Sequence, residues 1–469
     1  MRTPQEQLAE GKRARQQCPR HEQAQAGRIH RDPLPLIEAS SQGRVKALVP
    51  LRYGRMLVSP YTFYRGNALL QAHDLAGTAD MGLVAPICGD AHLMNFGGFA
   101  TPERNLVFGV NDFDEAHPGP WEWDLKRLVA SFLIAARDLG HGDSNQQRAC
   151  HEVVDAYQRA MAACADQGAL ETWYNALTYE AMVGKEASKT TLAHVERTMQ
   201  KARKRTHAKL LPKITERTED GHLLIRDNLP EIFHLHQKTT LLDADDDWLR
   251  LNDWHPLQEA FMRDYLPTLQ ADRRDLLSRF TVQDLAFKVV GVGSVGTRCL
   301  VLLLTDAQQQ PLFLQLKEAR RSVLADYVKL KTPILHQGQR VVDGQRLMQS
   351  ASDLFLGWTR GPTGHDFYVR QLRDMKVSAE IESFDADTFV GYARLCGRAL
   401  ARGHAKASGK AALISGYIGK SAALAEALFR YAQICADQNE QDYERFRRAC
   451  KEGRLEARSE ADFVAQHPE

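Results

Sequence analysis

The run of apolar and polar positions changes character several times along the chain. Leu83-Val84-Ala85-Pro86-Ile87 is a short apolar stretch ending at Cys88-Gly89-Asp90, and Leu106 to Val110 is a second one ending at Asn111-Asp112-Phe113-Asp114. Each predicts a short buried strand that runs into a polar loop. After Pro118 and Pro120, Leu125, Leu128, Val129, Phe132, Leu133 and Ala136 recur at helical spacing. From about Ser144 to Phe280 the pattern is largely helical, with long polar connections. At Leu285 the period changes: LAFKVV, a glycine-rich turn, RCLVLLL, a turn at Asp306–Gln310 and PLFLQLKEA predict three consecutive antiparallel strands. DLFLGW and DFYVRQL add two strands, with a helix before them around Tyr327–Ser350, and helical spacing returns from about Phe384 to the C-terminal region.

Composition narrows the class without naming a function. The 469 residues are 43% hydrophobic and 26% charged, with 61 Lys and Arg against 59 Asp and Glu. These are globular values, and the near-zero balance argues against a dedicated nucleic-acid binder. No apolar stretch is long enough to cross a bilayer, and the N-terminal residues lack the apolar core of a signal peptide. Eight scattered cysteines form no C-x-x-C pair, so a reducing, cytoplasmic setting is expected, with no membrane partner. The charge is uneven. Met1–Arg55 carries 11 Lys and Arg against 5 Asp and Glu, and reads as a basic arm draped on a domain because Pro33, Pro35 and Ser40-Ser41-Gln42-Gly43 interrupt its periodicity. Lys185–Arg217 carries ten basic and three acidic residues, which fits a solvated helix face or an anion-binding patch. The acidic run Asp243–Asp247 fails as a calcium loop: it lacks the glycine at position 6 and has Trp254 where a bidentate Glu belongs.

Three segments carry candidate chemistry. Gly291-Val292-Gly293-Ser294-Val295-Gly296 matches G-x-G-x-x-G, followed by β-branched and apolar residues without helical spacing. The glycines therefore join two strands, as in a flap whose backbone N–H groups cover nucleotide phosphates; an unliganded hairpin would carry the same residues. Val292 also breaks the nucleophile-elbow pattern G-x-S-x-G. In Leu312–Lys317 the leucines alternate with Phe313, Gln315 and Lys317, so the lysine ends a strand on the face away from the leucines, within reach of α/β-phosphates. Asp90-Ala91-His92-Leu93-Met94-Asn95 and Asn111-Asp112-Phe113-Asp114 supply carboxylates and an amide after short strands. Phosphoryl transfer needs a carboxylate to orient the attacking group, and hard oxygen ligands for Mg²⁺. Asp90 fits as the base and Asn95 and Asp112 as metal ligands; aspartates after strands also serve as simple turn formers. His92 fits a phosphate or substrate contact, or a satisfied loop histidine.

These strings carry a resemblance. C-G-D-A-H-L-M-N resembles the catalytic loop H-G-D-x-H-x-x-N of aminoglycoside phosphotransferase-like kinases, N-D-F-D-E-A resembles their metal loop I-D-[WF]-x-x-A, and W-E-W-D-L-K-R-L resembles the helix whose aspartate, here Asp124, braces the catalytic loop. Together with F-Y-R-G, G-Q-R-L-M-Q and Y-V-R-Q-L-R-D-M-K, the string resembles a bacterial family of unknown function placed with the kinase-like proteins, over roughly Tyr53 to Ala407. Cys88 stands where such kinases usually have histidine, and Asp343 is the candidate acidic partner of Lys317. The motif order departs from the kinase order. The catalytic and metal loops precede the glycine turn by about 200 residues, and Cys396–Ala405, which resembles the helix normally before the catalytic loop, follows it.

The resemblance implies an α+β, two-lobed protein-kinase-like fold, circularly permuted: a basic N-terminal arm (1–60), a helical catalytic lobe with an insert (61–280), a β-rich nucleotide-binding lobe (281–383) and C-terminal helices completing the helical lobe (384–469). It implies an ATP- and Mg²⁺-dependent phosphotransferase with Asp90 and His92 in catalytic positions and Asn95 and Asp112 on the metal. Gly291, Gly293, Ser294, Gly296 and Lys317 would clamp phosphates, and the segment from Gln371 and Leu372 to Asp374 would lie against adenine. The acceptor would be a small molecule, anionic if the basic segments flank the cleft. AMP transfer and nucleotide sensing by a pseudokinase are the alternatives; AMP on a product would separate the first, and the retention of Asp90, Asn95, Asp112 and Lys317 weighs against the second.

Overall fold

The computed structural model describes residues 2–178, 196–197, 200, 204, 206–237, 240–242, 246–249, 254–330, 332–361, 363–372 and 375–465. It is a mixed α+β structure whose sheets are antiparallel throughout. Most of the basic segment 185–217, residues 243–245 of the acidic run, and Arg373 and Asp374 lie outside the described residues.

The largest sheet has six strands in the order Gly357–Arg360, Asp366–Gln371, Pro311–Glu318, Cys299–Thr305, Thr281–Lys288 and Ile232–Phe233. Its centre is the meander predicted from period-two patterning, with Leu300 facing Leu316 and Phe287 across the two ladders. Leu312, Leu314 and Leu316 enter one apolar core together with Phe367 and Val369. The alternate residues Gln315 and Lys317 sit opposite Arg370 and Tyr368 of the neighbouring strand, so one row of the sheet is polar and aims at the space between the sheet and the helices. The helix predicted near Tyr327–Ser350 runs from Gln337 to Met348.

The helical part is built around Trp121–Asp138, in which 16 of 18 residues are buried, so it is enclosed on every side. Asp143–Ala165 and Ala386–Ser408 pack along each other beside it, and Ala423–Lys451 covers its far side. The C-terminal helices thus share one core with residues more than 250 positions earlier. A four-stranded sheet (Val377–Ser378, Phe96–Ala100, Leu106–Val110, Leu177–Thr178) and the pair Val84–Ile87 with His117–Pro120 form the floor facing the large sheet.

Two expectations change. The region Ser144–Phe280 contains Leu177–Thr178, Thr215–Arg217, Leu223–Ile225 and Ile232–Phe233 as strands; pieces of two or three residues are too short to display a period of two. The N-terminal arm contains helices, Pro4–Gln17 and Leu34–Ser41 among them. Pro4 and Pro35 stand in first turns, where the missing N–H has no intrahelical partner to lose, so these prolines start helices rather than interrupt them. The first helix lies on Ala411–Ile418, with Arg15 Nε donating to the Tyr417 carbonyl at 2.9 Å.

The close approach of helices 143–165 and 386–408 can be tested with two glycines of the second. A Cβ at Gly397 would collide with the Val153 carbonyl oxygen, whereas one at Gly391 meets nothing within 4 Å. Gly397→Ala is expected to lower stability by about 2–3 kcal/mol, and Gly391→Ala to raise it by about 0.5–1 kcal/mol. Melting temperatures of the two variants read this directly; a neutral Gly397→Ala would mean the helices can separate.

Candidate active site

The strand Val84–Ile87 delivers Cys88, Gly89 and Asp90 into a tight loop. Gly89 has φ +80°, and a Cβ there would run into the carbonyl oxygen of Glu115, so the residue is fixed both by its conformation and by the close approach of the second loop. Asp124 holds this loop from below. Its Oδ2 accepts from the Cys88 N–H at 2.8 Å and its Oδ1 from the Gly89 N–H at 2.9 Å. His404 Nε2 lies 3.1 Å from the same carboxylate, and Tyr157 Oη 2.8 Å from His404 Nδ1. From the other side Tyr392 donates to the Leu93 and Phe96 carbonyls at 2.8 and 3.1 Å.

Asp90 is one-fifth exposed, and its Oδ1 accepts from Arg127 Nε at 2.8 Å. Arg127 is buried, donates also to Gln71 Oε1 and the Tyr64 carbonyl, and lies 4.0 Å above the Tyr64 ring. With Oδ1 held, Oδ2 is the Asp90 atom turned to the cleft, 3.8 Å from His92 Nε2. Burial pushes the His92 imidazole down to about 3; Asp90 opposes that, and the nearby Arg65 and Arg127 add to it. His92 is therefore neutral, and its Nδ1 is buried without a hydrogen-bond partner. The Asn95 amide nitrogen donates to the Asp90 carbonyl at 2.7 Å, which leaves the amide oxygen as its outward donor atom.

The second loop lies alongside, with the Asn111 N–H on the Asn95 carbonyl at 2.7 Å. Asp112 Oδ2 is 3.7 Å from Lys317 Nζ, and Lys317 also forms a short ion pair with Asp114. Burial alone would raise the Asp112 carboxyl, but Lys317, Arg370, the Asp114 N–H and Lys376 together hold it below the usual range. Lys317 is held above its usual range: burial lowers it, and Asp112 and Asp114 outweigh that. Asp114 further accepts from Tyr368 Oη at 2.8 Å and Ser294 Oγ at 3.1 Å. The partner of Lys317 is thus the Asp112–Asp114 pair. Asp343, the candidate from the sequence, is exposed on its helix and interacts with Arg346 and Gln339 instead. What that helix does send toward the loop is Arg340, whose guanidinium binds the Asp114 and Arg320 carbonyls at 2.8 Å each.

The glycine-rich turn folds over this site. Gly291 leads into a short 3₁₀ turn at Val292–Ser294, and Gly296 has φ +81°. The turn is clamped by the basic arm: Arg44 donates to the Val295 and Gly293 carbonyls at 2.6 and 2.9 Å, and the Val45 N–H to the Gly296 carbonyl at 2.8 Å.

Two adjoining cavities result. One, of about 380 Å³, is lined by Asp90, His92, Asn95, Asp112, Gly291, Gly293, Ser294 and Lys317. The other, of about 680 Å³, is lined by Gln371, Leu372 and Lys376, and shares Asn95, Asp112, Gly291 and Arg370 with the first. Ten of the eleven sequence-selected residues therefore border one continuous cleft, and Gly296 stands just behind it, where its carbonyl meets Val45. Both volumes suit a small organic ligand. The Gln371 and Leu372 N–H groups are already satisfied, by Asp353 Oδ2 at 2.9 Å and the Phe313 carbonyl at 3.0 Å.

Among the described residues no group of three or more His, Cys, Asp or Glu side chains is arranged to hold a metal ion. The available donors are the Asn95 amide oxygen and the Asp112 carboxylate, a third exposed and kept ionised, which is a hard-oxygen set of the kind that suits Mg²⁺ completed by water and phosphate oxygens. Arg127, Asp114, Tyr368, Arg370 and Arg44 were not selected from the sequence. The D-F-D spacing was the one available signal for Asp114; Arg127 lies three residues past Asp124 in a helix buried all round, where periodicity marks no face.

The His92 environment has a measurable consequence. The unfolded chain takes up a proton near the ordinary histidine value of about 6.5, while the folded imidazole accepts none until about 3. Its contribution to stability is complete above about 6.5 and is lost progressively as the pH falls from there toward 3. Histidine-selective NMR should show His92 ring shifts that stay constant between about pH 8 and pH 5. A titration midpoint near pH 6 would mean the ring is hydrated.

No curated protein and no solved structure matches the chain. The family described as an uncharacterized protein conserved in bacteria (DUF2252) matches residues 44–449, and the protein belongs to that family.

Proposed function

We propose that the protein is an ATP- and Mg²⁺-dependent phosphotransferase with a circularly permuted kinase-like fold, acting on a small-molecule hydroxyl or amine. The observation that carries this reading is the 3.7 Å approach of Lys317 to Asp112, two residues some 200 positions apart that meet in one cleft with Asp90, Asn95 and a glycine-rich turn. Further support is the meander order: the glycine-rich turn joins the first two strands and the lysine stands on the third, as in kinases. The helix carrying His404 lies against the loop of Asp90 although it follows it by 300 residues, as a permuted chain requires.

In this reading the acceptor approaches Asp90 Oδ2. Arg127 fixes the other oxygen, so Asp90 orients the attacking group and takes its proton as the new bond to the γ-phosphorus forms and the bond from that phosphorus to the β-phosphate oxygen breaks, with ADP as the leaving group. A loose transition state demands orientation more than strong basicity. Asn95 and Asp112 would hold Mg²⁺, which neutralises charge on the phosphate oxygens. Lys317 and Ser294 now rest on Asp114, so that an anionic carboxylate satisfies the donors a phosphate would engage. The neutral His92 borders the same space and can offer either ring nitrogen without adding charge. The base would occupy the larger cavity near Gln371 and Lys376. Since the Gln371 and Leu372 N–H groups are engaged, shape and the side chains around them, more than those two donors, would select it.

Calorimetry should detect ATP binding that depends on Mg²⁺ and loses this dependence in Asp112→Ala. Incubation of a bacterial metabolite extract with labelled ATP should give a product that carries phosphate, with Asp90→Ala slower by about 10²–10⁴. A product carrying AMP would move the reading to nucleotidyl transfer, and absence of any Mg²⁺-dependent ATP binding would falsify it altogether.

A further inference from the structure

Away from the cleft, helices Asp143–Ala165 and Ala386–Ser408 flank a cavity of about 450 Å³ that contains four arginines, Arg159, Arg394, Arg398 and Arg402. Three of them are spaced by four residues and form one stripe on the second helix. Like charges at that spacing repel. The floor beneath them is Ala156, Ala160, Ala163 and the buried Cys164, which hydrates nothing. Glu152 Oε1 accepts from both Arg159 and Arg394, at 2.7 and 2.8 Å, and Asp155 acts on Arg159. The acidic groups therefore serve the outer end only. Arg398 and Arg402, half-buried at the inner end, make no hydrogen bond or ion pair with any described residue. Arg398 faces Arg394 and Arg159, and Arg402 faces Arg398 and the Cys164 thiol, which burial keeps protonated.

Two guanidiniums without a partner among the described residues, over a floor of alanines and Cys164 and backed by two more arginines, form a preorganised anion receptor. Planar forks match phosphate and carboxylate oxygens bidentately, and the half-dry floor strengthens each contact. The open depression between the two helices, about 450 Å³, has room for a small molecule. We propose that this cavity binds a compact anion bearing two or more phosphate or carboxylate groups. The site is independent of the cleft. Its helix carries Tyr392 and His404 on the opposite face, where they hold the loop of Asp90.

Thermal melts and calorimetry with tripolyphosphate and with citrate, at matched ionic strength, test this on the full chain. At least one of the two should raise the melting temperature of the wild type, and comparing them separates phosphate from carboxylate preference. Arg398→Gln/Arg402→Gln should weaken that binding roughly tenfold or more, as should the milder Arg402→Gln should the double variant fail to fold. Arg320→Gln/Arg321→Gln, which alters the cleft, should leave it unchanged. Binding that survives in Arg402→Gln but falls with Arg320→Gln/Arg321→Gln would place the anion in the cleft and overturn the proposal, as would a failure of both anions to bind the wild type.

Discussion

One buried carboxylate ties the structure together. Asp124 is 1% exposed, accepts two backbone N–H groups from the loop that presents Asp90, and meets His404 from a helix that arrives 280 residues later. A carboxyl group in that position is tolerable only when it is hydrogen-bonded, and here two backbone N–H groups and the His404 ring meet it. The consequence is mechanical: the loop cannot shift without stranding the carboxylate, and the C-terminal helix cannot leave without stranding both. The apolar packing of helices 121–138, 143–165 and 386–408 supplies most of the cohesion, while Asp124 determines where the first loop sits within it.

Above that floor the cleft is a balance of opposite charges at short range. Lys317 and Arg370 descend from adjacent strands of the large sheet, and Asp112 and Asp114 rise from the second loop. Lys317, Arg370 and Asp112 would each be costly alone at that depth, and the opposite charges favour the ionised form of these three. The sheet and the helical part are therefore held across the cleft by groups that a ligand can exchange for its own charges. In the proposed reading, phosphate oxygens would replace Asp114 on Lys317 and Ser294, the two donors that this carboxylate now satisfies.

Much of this was legible in the sequence because local signals coincide with the final geometry. The three-strand meander is written in period two, and the polar row Gln315–Lys317 follows from the same alternation. Asp90 and Asp112 stood out because each follows a short apolar stretch, and Asn95 because it lies five residues past Asp90, as in the catalytic loop that the string resembles. What stayed hidden depends on contacts that no local pattern encodes. Asp114 reads as a turn residue until Lys317, Ser294 and Tyr368 converge on it. Arg127 sits in a helix with no exposed face. Asp343 looked eligible to pair with Lys317, yet the face buried by Val341, Val342 and Gln345 leaves it outside. The kinase order of motifs gave a reason to place Lys317 near Asp112, but the brace between His404 and Asp124 joins positions whose spacing carries no signal of its own.

The basic arm shows how one set of residues serves two purposes. Arg44, Arg52 and Arg55 donate to the carbonyls of Val295 and Gly293, of Gly66 and of Val290, so the arm fixes both ends of the glycine-rich turn and the loop beneath it. A carbonyl oxygen carries only a partial charge, so these bonds fix Arg44 and Arg52 without neutralising them, whereas Arg55 also pairs with Glu460 at 2.9 Å. Burial above all, and then the proximity of Arg52 and Arg320, lower Arg44 well below its ordinary value, while Glu115 and Glu318 oppose this. Arg44 and Arg52 thus stand at the cleft on carbonyl and hydroxyl partners, and in the proposed reading their charge would draw in an anion.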